Sequence, residues 1–255
     1  MPDRQDAPAQ SARDGWPRVS ALGTDGILVS FGDRLSEAAN RAALAFRAAV
    51  EAAGVPGLEE TATSLASTYL RIAADPKALA AADRTVRALL TETDWFAAPL
   101  PTGRRLWRIP CAFDPTVAPQ LAEAAAEAGL SPEAAVQSIT GTRLRVQAIG
   151  FAPGQPYLGE LPPDWDIPRQ SALTDRIPVG ALCVAIRQMV LFSVSTPTGW
   201  RHVGQTAFRA FRPDAEAPFV LRPGDEVAFE PVPAEALSSL RDRGPDGGAR
   251  TEDLP

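Results

Sequence analysis

The hydrophobic pattern divides the chain into a periodic first part and a second part dominated by short β-type runs. From Arg18 to Phe31 it predicts a short strand, a turn over Gly23 to Gly26, and a strand Ile27-Leu28-Val29-Ser30-Phe31 rich in β-branched and aromatic residues. Ser36 then caps a helix over 36–53, with Ala39, Ala43, Phe46 and Val50 on one stripe, Arg41, Arg47 and Glu51 opposite, and Gly54 after its end. Two strands follow within Thr61 to Ala73, broken near Ser67. Asp75-Pro76 opens a second helix, with an acceptor before a proline at N1 and a buried stripe of Leu79, Ala82, Val86 and Leu89. The order strand, strand, helix, strand, strand, helix predicts a compact α+β domain over 16–100 in the style of a ferredoxin-like layer. The Pro-rich 98–103 is the expected linker.

A second domain is expected over 104–235. Leu106 to Phe113 reads as a strand, 119–128 as an alanine-rich helix closed by Gly129, and Ser131-Pro132-Glu133 as the start of another. The helix pair has the outline of a helix-turn-helix, but Glu133 to Ser138 offers no Arg or Lys for phosphate or guanine. Arg143 to Ile149 alternates, with Leu144, Val146 and Ala148 inward. Runs at 181–186, 189–194, 206–211, 218–221 and 226–232 follow, and Arg222-Pro223-Gly224-Asp225 forms a tight turn, so a closed or nearly closed barrel is expected. Residues 1–15 and 241–255 are polar and charged and read as disordered tails.

Within the barrel, 149–206 is punctuated by Pro and Gly and carries aromatic and Arg residues at irregular intervals. Such sequence specifies loop geometry, either around a site or as plain barrel connections. Arg169 and Arg176 could bind a carboxylate or phosphate, or pair with Asp164, Asp166 or Asp175. Tyr157 and Trp200 could stack on a ligand or pack as core. His202 is the sole histidine, a general-base candidate or a packed strand residue, and no orienting partner is identifiable for it. Ser195 and Thr196 have nothing nearby to activate them. No catalytic residue is assigned.

Composition removes several classes of function. A net charge of −6 over 255 residues argues against nucleic acid or anionic membrane as partner. Cys111 and Cys183 are far apart, without the spacing of a zinc or redox pair, and one histidine cannot build a His-based metal cage. Neither a P-loop nor a GxSxG elbow is present. With no apolar leader or membrane-length run, a soluble cytoplasmic protein is expected.

Four motifs in order, GFAPGQPYLGEL at 150–161, DIPRQSALTDRIPVGAL at 166–182, STPTGWRHVGQT at 195–206 and LRPGDEVAFEPV at 221–232, with GTDGILVSFGD at 23–33, resemble the family of 5-oxoprolinase B subunits. This family is also described as KipI-like or allophanate hydrolase subunit 1, a carboxyltransferase domain with subdomains C and D. The resemblance covers about 17–233 and implies a small α+β domain followed by a cyclophilin-like β-barrel. It implies one component of a hydrolase that works with a homologous C subunit and a separate A subunit, in ATP-dependent opening of 5-oxoproline to glutamate, with ATP bound through the complex. Substrate would then be held by Gly154, Gln155, Tyr157, Arg169, Arg176, Trp200 and His202. Two other activities occur in related proteins: inhibition of a sensor histidine kinase, and a urea carboxylase or allophanate hydrolase role. The chain departs from the family pattern at Ser138, Leu144, Gln155, Asp175, Thr198, His202 and Gln205. Such departures suit a paralogue with an altered substrate, a non-catalytic partner, or neutral drift.

Overall fold

The computed structural model describes residues 15–254, so the amino-terminal tail expected over 1–15 lies almost wholly outside the described residues. The chain forms two compact units, one ending at Pro101 and the other beginning at Thr102. Among the described residues no helix is long and apolar enough to cross a membrane.

The first unit runs β1 (Arg18–Leu22), β2 (Gly26–Ser30), α1 (Glu37–Ala52), β3 (Leu58–Ser64), β4 (Ser67–Ile72) and α2 (Pro76–Leu90). Its antiparallel sheet has the order β1-β2-β4-β3. The element order is ββαββα, not the βαββαβ of a ferredoxin-like chain. The β2-α1-β3 unit is nonetheless split by β4, and the extra edge strand enters from the amino-terminal side. α1 forms where its apolar stripe falls. Ser36 Oγ accepts from Ala39 N–H at 3.1 Å, and Ala39, Ala43, Phe46 and Val50 are buried against the sheet. Asp75 caps α2 in the same way, accepting from Lys77 N–H at 3.1 Å. Large side chains buried in this core, such as Phe46, Leu70 and Ile72, each contribute about 1.5–3 kcal/mol.

The second unit contains β5 (Arg105–Ala112), α3 (Leu121–Glu127), α4 (Pro132–Gly141), β6 (Leu144–Ile149), β7 (Pro156–Gly159), a 3₁₀ turn (Pro163–Trp165), β8 (Thr174–Ile177), β9 (Ala181–Ala185), β10 (Gln188–Leu191), β11 (Thr196–Thr198), β12 (Arg201–Thr206), β13 (Glu226–Pro231), α5 (Ala236–Asp242) and β14 (Arg250–Asp253). The order β12-β9-β10-β7-β6-β13-β5 returns to β12 through its pairing with β5, which closes a barrel. β5 and β13 are parallel, and the other barrel pairings are antiparallel. The closed interior is filled by side chains such as Ile109, Leu144, Val146, Leu158, Leu182, Val184, Met189 and Val203. Leu121 and Ala125 of α3 and Ile139 of α4 join the same core.

Three features of this unit differ from the pattern read in the sequence. Thr206 ends β12, whereas residues 207–211 and 218–221 are not strands and share a single Phe211–Phe219 bridge. The alternation in β6 breaks between Val146 and Ala148, so Gln147 is buried and its Oε1 accepts from Gln188 Nε2 at 2.8 Å. Of the tail expected over 241–255, the described residues through Leu254 are ordered against the barrel, since β14 pairs with β5 over Arg105–Arg108, beyond the reach of β12. Leu237 and Leu240 are buried, and ion pairs Arg108–Glu252 at 2.5 Å and Arg250–Glu230 at 2.8 Å flank the strand. Gly247, at φ +54, passes so close to Ala207 that a Cβ would lie 2.5 Å from its carbonyl carbon.

Candidate functional site

Because successive strand residues face opposite ways, the residues of β9 that alternate with Leu182 and Val184 point to the outer surface of the barrel. There Ala181, Cys183 and Ala185 form a second apolar cluster with Val190, Phe192, Ile177 and Trp200, against which Tyr157 packs. Tyr157 and Trp200 meet edge to face, with centroids 6.1 Å apart and planes at 74°. Above them the Arg169 guanidinium carbon lies 5.1 Å from the Trp200 ring centroid. Arg169 is exposed, so this cation–π contact orients the guanidinium at a gain of about 0.5–1 kcal/mol. The structure thus brings Tyr157, Trp200 and Arg169 together, with Trp200 packed as core at 6% exposure, Tyr157 half-buried beside it, and the exposed Arg169 over this aromatic platform.

A polar network that sequence reading missed holds this platform. The Gln170 backbone N–H donates to Gly199 O at 2.7 Å, and its Nε2 donates to Trp200 O at 3.1 Å and to Thr174 Oγ1 at 3.3 Å. Gln120, just before α3, donates through Nε2 to Gln170 Oε1 at 2.6 Å. Gln120 also pairs with both backbone groups of His202, accepting at Oε1 (2.9 Å) and donating from its own N–H (3.0 Å). Arg201, with a side chain only 7% exposed, donates from Nε to Glu123 at 2.8 Å and from Nη1 to Pro168 O at 2.6 Å. This buried arginine therefore fixes the backbone immediately before Arg169. Gln170 and Arg201 lie within the Pro/Gly-rich motifs and Gln120 lies outside them, but an amide or guanidinium that clamps backbone atoms is recognisable only once the chain is folded.

The other expected site residues fall into different settings. Arg176 is exposed on β8, and among the described residues neither Arg169 nor Arg176 forms an ion pair with Asp164, Asp166 or Asp175. Gly154 holds φ +67 with a would-be Cβ 2.9 Å from Ala210 O, so it serves the close packing of the 150–155 turn. Gln155 is 1% exposed and its Oε1 is a buried acceptor without a protein partner. Gln205 donates from Nε2 to Val179 O at 2.9 Å, whereas its Oε1 is likewise unpartnered. Of the remaining departures from the family pattern, Ser138 accepts from Trp165 Nε1 at 3.0 Å and Leu144 is interior core. Burial pushes both the Cys111 and Cys183 thiols up, so neither is a ready nucleophile.

His202 sits opposite Cys183, on the outward side of β12, and is 5% exposed. Burial lowers its pKa, opposed by the Gly204 backbone and the Gln205 side chain, although Nε2 finds no partner of good geometry. The ring is therefore a neutral packed group at pH 7. Its depressed pKa means that the unfolded chain takes up a proton first as pH falls below the ordinary histidine value. The stability contributed here is full above that value and is lost on acidification. Lowering the pH from about 7.5 to about 5.5 is expected to reduce the urea midpoint of the wild type more than that of His202→Gln. Equal drops in the two proteins would contradict this.

Residues 17–221 match the family described as carboxyltransferase domain, subdomain C and D. The chain is 30% identical over 221 residues to the B subunit of 5-oxoprolinase from Bacillus subtilis (strain 168), covering 83% of this chain and 91% of that protein. The crystal structure of TTHA0988 superposes with a TM-score of 0.68 at 34% identity, covering 82% of this chain but only 40% of that one. The Kluyveromyces lactis urea amidolyase shares the fold, with a TM-score of 0.69 at 17% identity over 93% of this chain and 16% of that one. By its matched domain and a relationship spanning nearly the whole B. subtilis protein, the chain belongs to the family of 5-oxoprolinase B subunits, built on the carboxyltransferase domain with subdomains C and D.

Proposed function

We propose that this chain is one subunit of an ATP-dependent amidohydrolase of the 5-oxoprolinase type, opening 5-oxoproline to glutamate only in company with a homologous C subunit and a separate A subunit. The observation that carries this reading is the relationship to the B. subtilis B subunit, which leaves only a tenth of that protein unmatched. The platform on the outer face of the barrel supports it chemically. 5-Oxoproline is a flat lactam bearing a carboxylate. The Arg169 guanidinium offers paired donors to that carboxylate, and the half-buried Tyr157, backed by the buried Trp200, offers an apolar side to the ring. Opening the lactam adds water across its C–N bond, and a phosphorylated intermediate would add negative charge for which the exposed Arg176 is the second candidate donor. ATP is assigned to the assembly and to no residue of this chain. A cytoplasmic setting, which supplies ATP and keeps Cys111 and Cys183 reduced, accompanies this reading.

Co-purification with the companion subunits, followed by an assay of ATP hydrolysis with and without 5-oxoproline, tests the proposal. Turnover that requires this chain is expected. Companion subunits that turn over 5-oxoproline equally well without it would contradict the reading.

A further inference from the structure

The start of α3 anchors both chain neighbours of Arg169. Leu121, Ala124 and Ala125 bury this short helix in the barrel core, so groups at its beginning are held in place by packing. On one side Glu123 accepts from Arg201 Nε, and Arg201 Nη1 donates to Pro168 O at 2.6 Å. On the other, Gln120 donates to Gln170 Oε1 at 2.6 Å. Gln170 is in turn stitched through its backbone N–H to Gly199 O and through Nε2 to Trp200 O, the residue whose ring lies under the Arg169 guanidinium.

The two amides fit together in one orientation. The His202 N–H requires an acceptor, so Gln120 turns Oε1 toward it and Nε2 toward Gln170. Gln170 must present Oε1 to that donor, which leaves its Nε2 for Trp200 O and Thr174 Oγ1. Thr174 Oγ1 donates back to Gln120 Oε1 at 3.5 Å. A hydrogen-bonded chain fixed at both ends by backbone groups thus closes the loop between Arg169 and Arg176. None of its bonds has to be exchanged before the Arg169 guanidinium receives an anion.

We infer that Gln120 is a positioning residue, which acts through Gln170 to hold Arg169 for the carboxylate of the ligand. The inference rests on the anion subsite proposed at Arg169. A residue that acts through Arg169 loses its effect once Arg169 is gone, whereas a merely structural residue costs the same in both backgrounds.

Gln120→Met keeps the length of the side chain and removes its amide bonds. In the assembled enzyme it is expected to raise KM for 5-oxoproline about three- to tenfold, with kcat within about twofold, and to change neither constant in an Arg169→Ala background. Gln170→Met cuts the same link without depriving the His202 N–H of its acceptor, so it gives the same split should Gln120→Met fold poorly. Hydrogen exchange of the chain alone adds a readout that needs no turnover. The Gln170 amide is expected to exchange about tenfold faster in Gln120→Met, while the amides of β9 keep their wild-type rates. An equal loss with and without Arg169, or unchanged exchange at Gln170, overturns the inference. An Arg169→Ala variant with wild-type kinetics removes the subsite itself, whereas a sensitive Arg169 beside a silent Gln120→Met contradicts the positioning role alone. If the wild-type assembly does not turn over 5-oxoproline, the functional reading fails and exchange at Gln170 decides the positioning role by the same criterion.

Discussion

Replacing Asp225 with alanine is expected to destabilise the barrel by about 3–5 kcal/mol, the cost of breaking a buried ion pair from one side. Asp225 is 2% exposed and its carboxylate is fully used. Oδ2 accepts from Arg105 Nη2 at 2.6 Å and from Arg222 N–H at 3.1 Å, while Oδ1 accepts from Arg105 N–H at 3.1 Å. These bonds join the start of β5 to the turn before β13, where the barrel's parallel pair begins. Without the carboxylate, a partly buried guanidinium and two backbone donors lose their acceptor at once. Asp225→Asn keeps the shape and one acceptor and is expected to cost less, about 1–3 kcal/mol. In calorimetry the alanine variant should melt about 10 °C or more below the wild type. A shift of only about 2 °C would show that Asp225 merely shapes its turn, the role suggested by its place in a Pro-Gly-Asp sequence.

Removing the Arg169 side chain is expected to have the largest effect on turnover. A charged hydrogen bond to a carboxylate contributes about 1.5–3 kcal/mol, so Arg169→Ala should lower kcat/KM for 5-oxoproline in the assembled enzyme about ten- to a hundredfold. Arg169→Lys keeps the charge but loses the planar fork and should fall between alanine and wild type. Because Arg169 is exposed and its loop is anchored by Gln170 and Arg201, neither variant should impair folding or assembly. An alanine variant with wild-type kcat/KM would remove Arg169 from the substrate site.

The legible parts of this fold are those in which local chemistry and tertiary packing agree. α1 and α2 could be drawn from the Ser36 and Asp75 caps and their apolar stripes, because one face of each helix packs on a sheet and the other faces water. β12 was hidden for the opposite reason. Arg-His-Val-Gly-Gln-Thr is buried at every position, on one face by the barrel core and on the other by polar clamps, so it shows no alternation. β14 was hidden because all four of its residues are exposed; its pairing with β5, more than a hundred residues away, has no local signal. At the site, the aromatic and arginine side chains of the Pro/Gly-rich segment drew attention to Tyr157, Trp200 and Arg169. Sequence could not tell that Arg201, adjacent to Trp200, is the buried guanidinium that holds the loop backbone, because position in a motif carries no information on burial.

If this chain completes an enzyme whose substrate meets the outer face of its barrel, the most direct measurement is ADP and glutamate release by the reconstituted assembly on addition of 5-oxoproline. Wild-type chain and Arg169→Ala are compared in equal amounts. The expected result is 5-oxoproline-dependent release with the wild type and a loss of about ten- to a hundredfold in kcat/KM with the variant, in assemblies of the same composition. A stable wild-type assembly that hydrolyses no ATP in response to 5-oxoproline would contradict it.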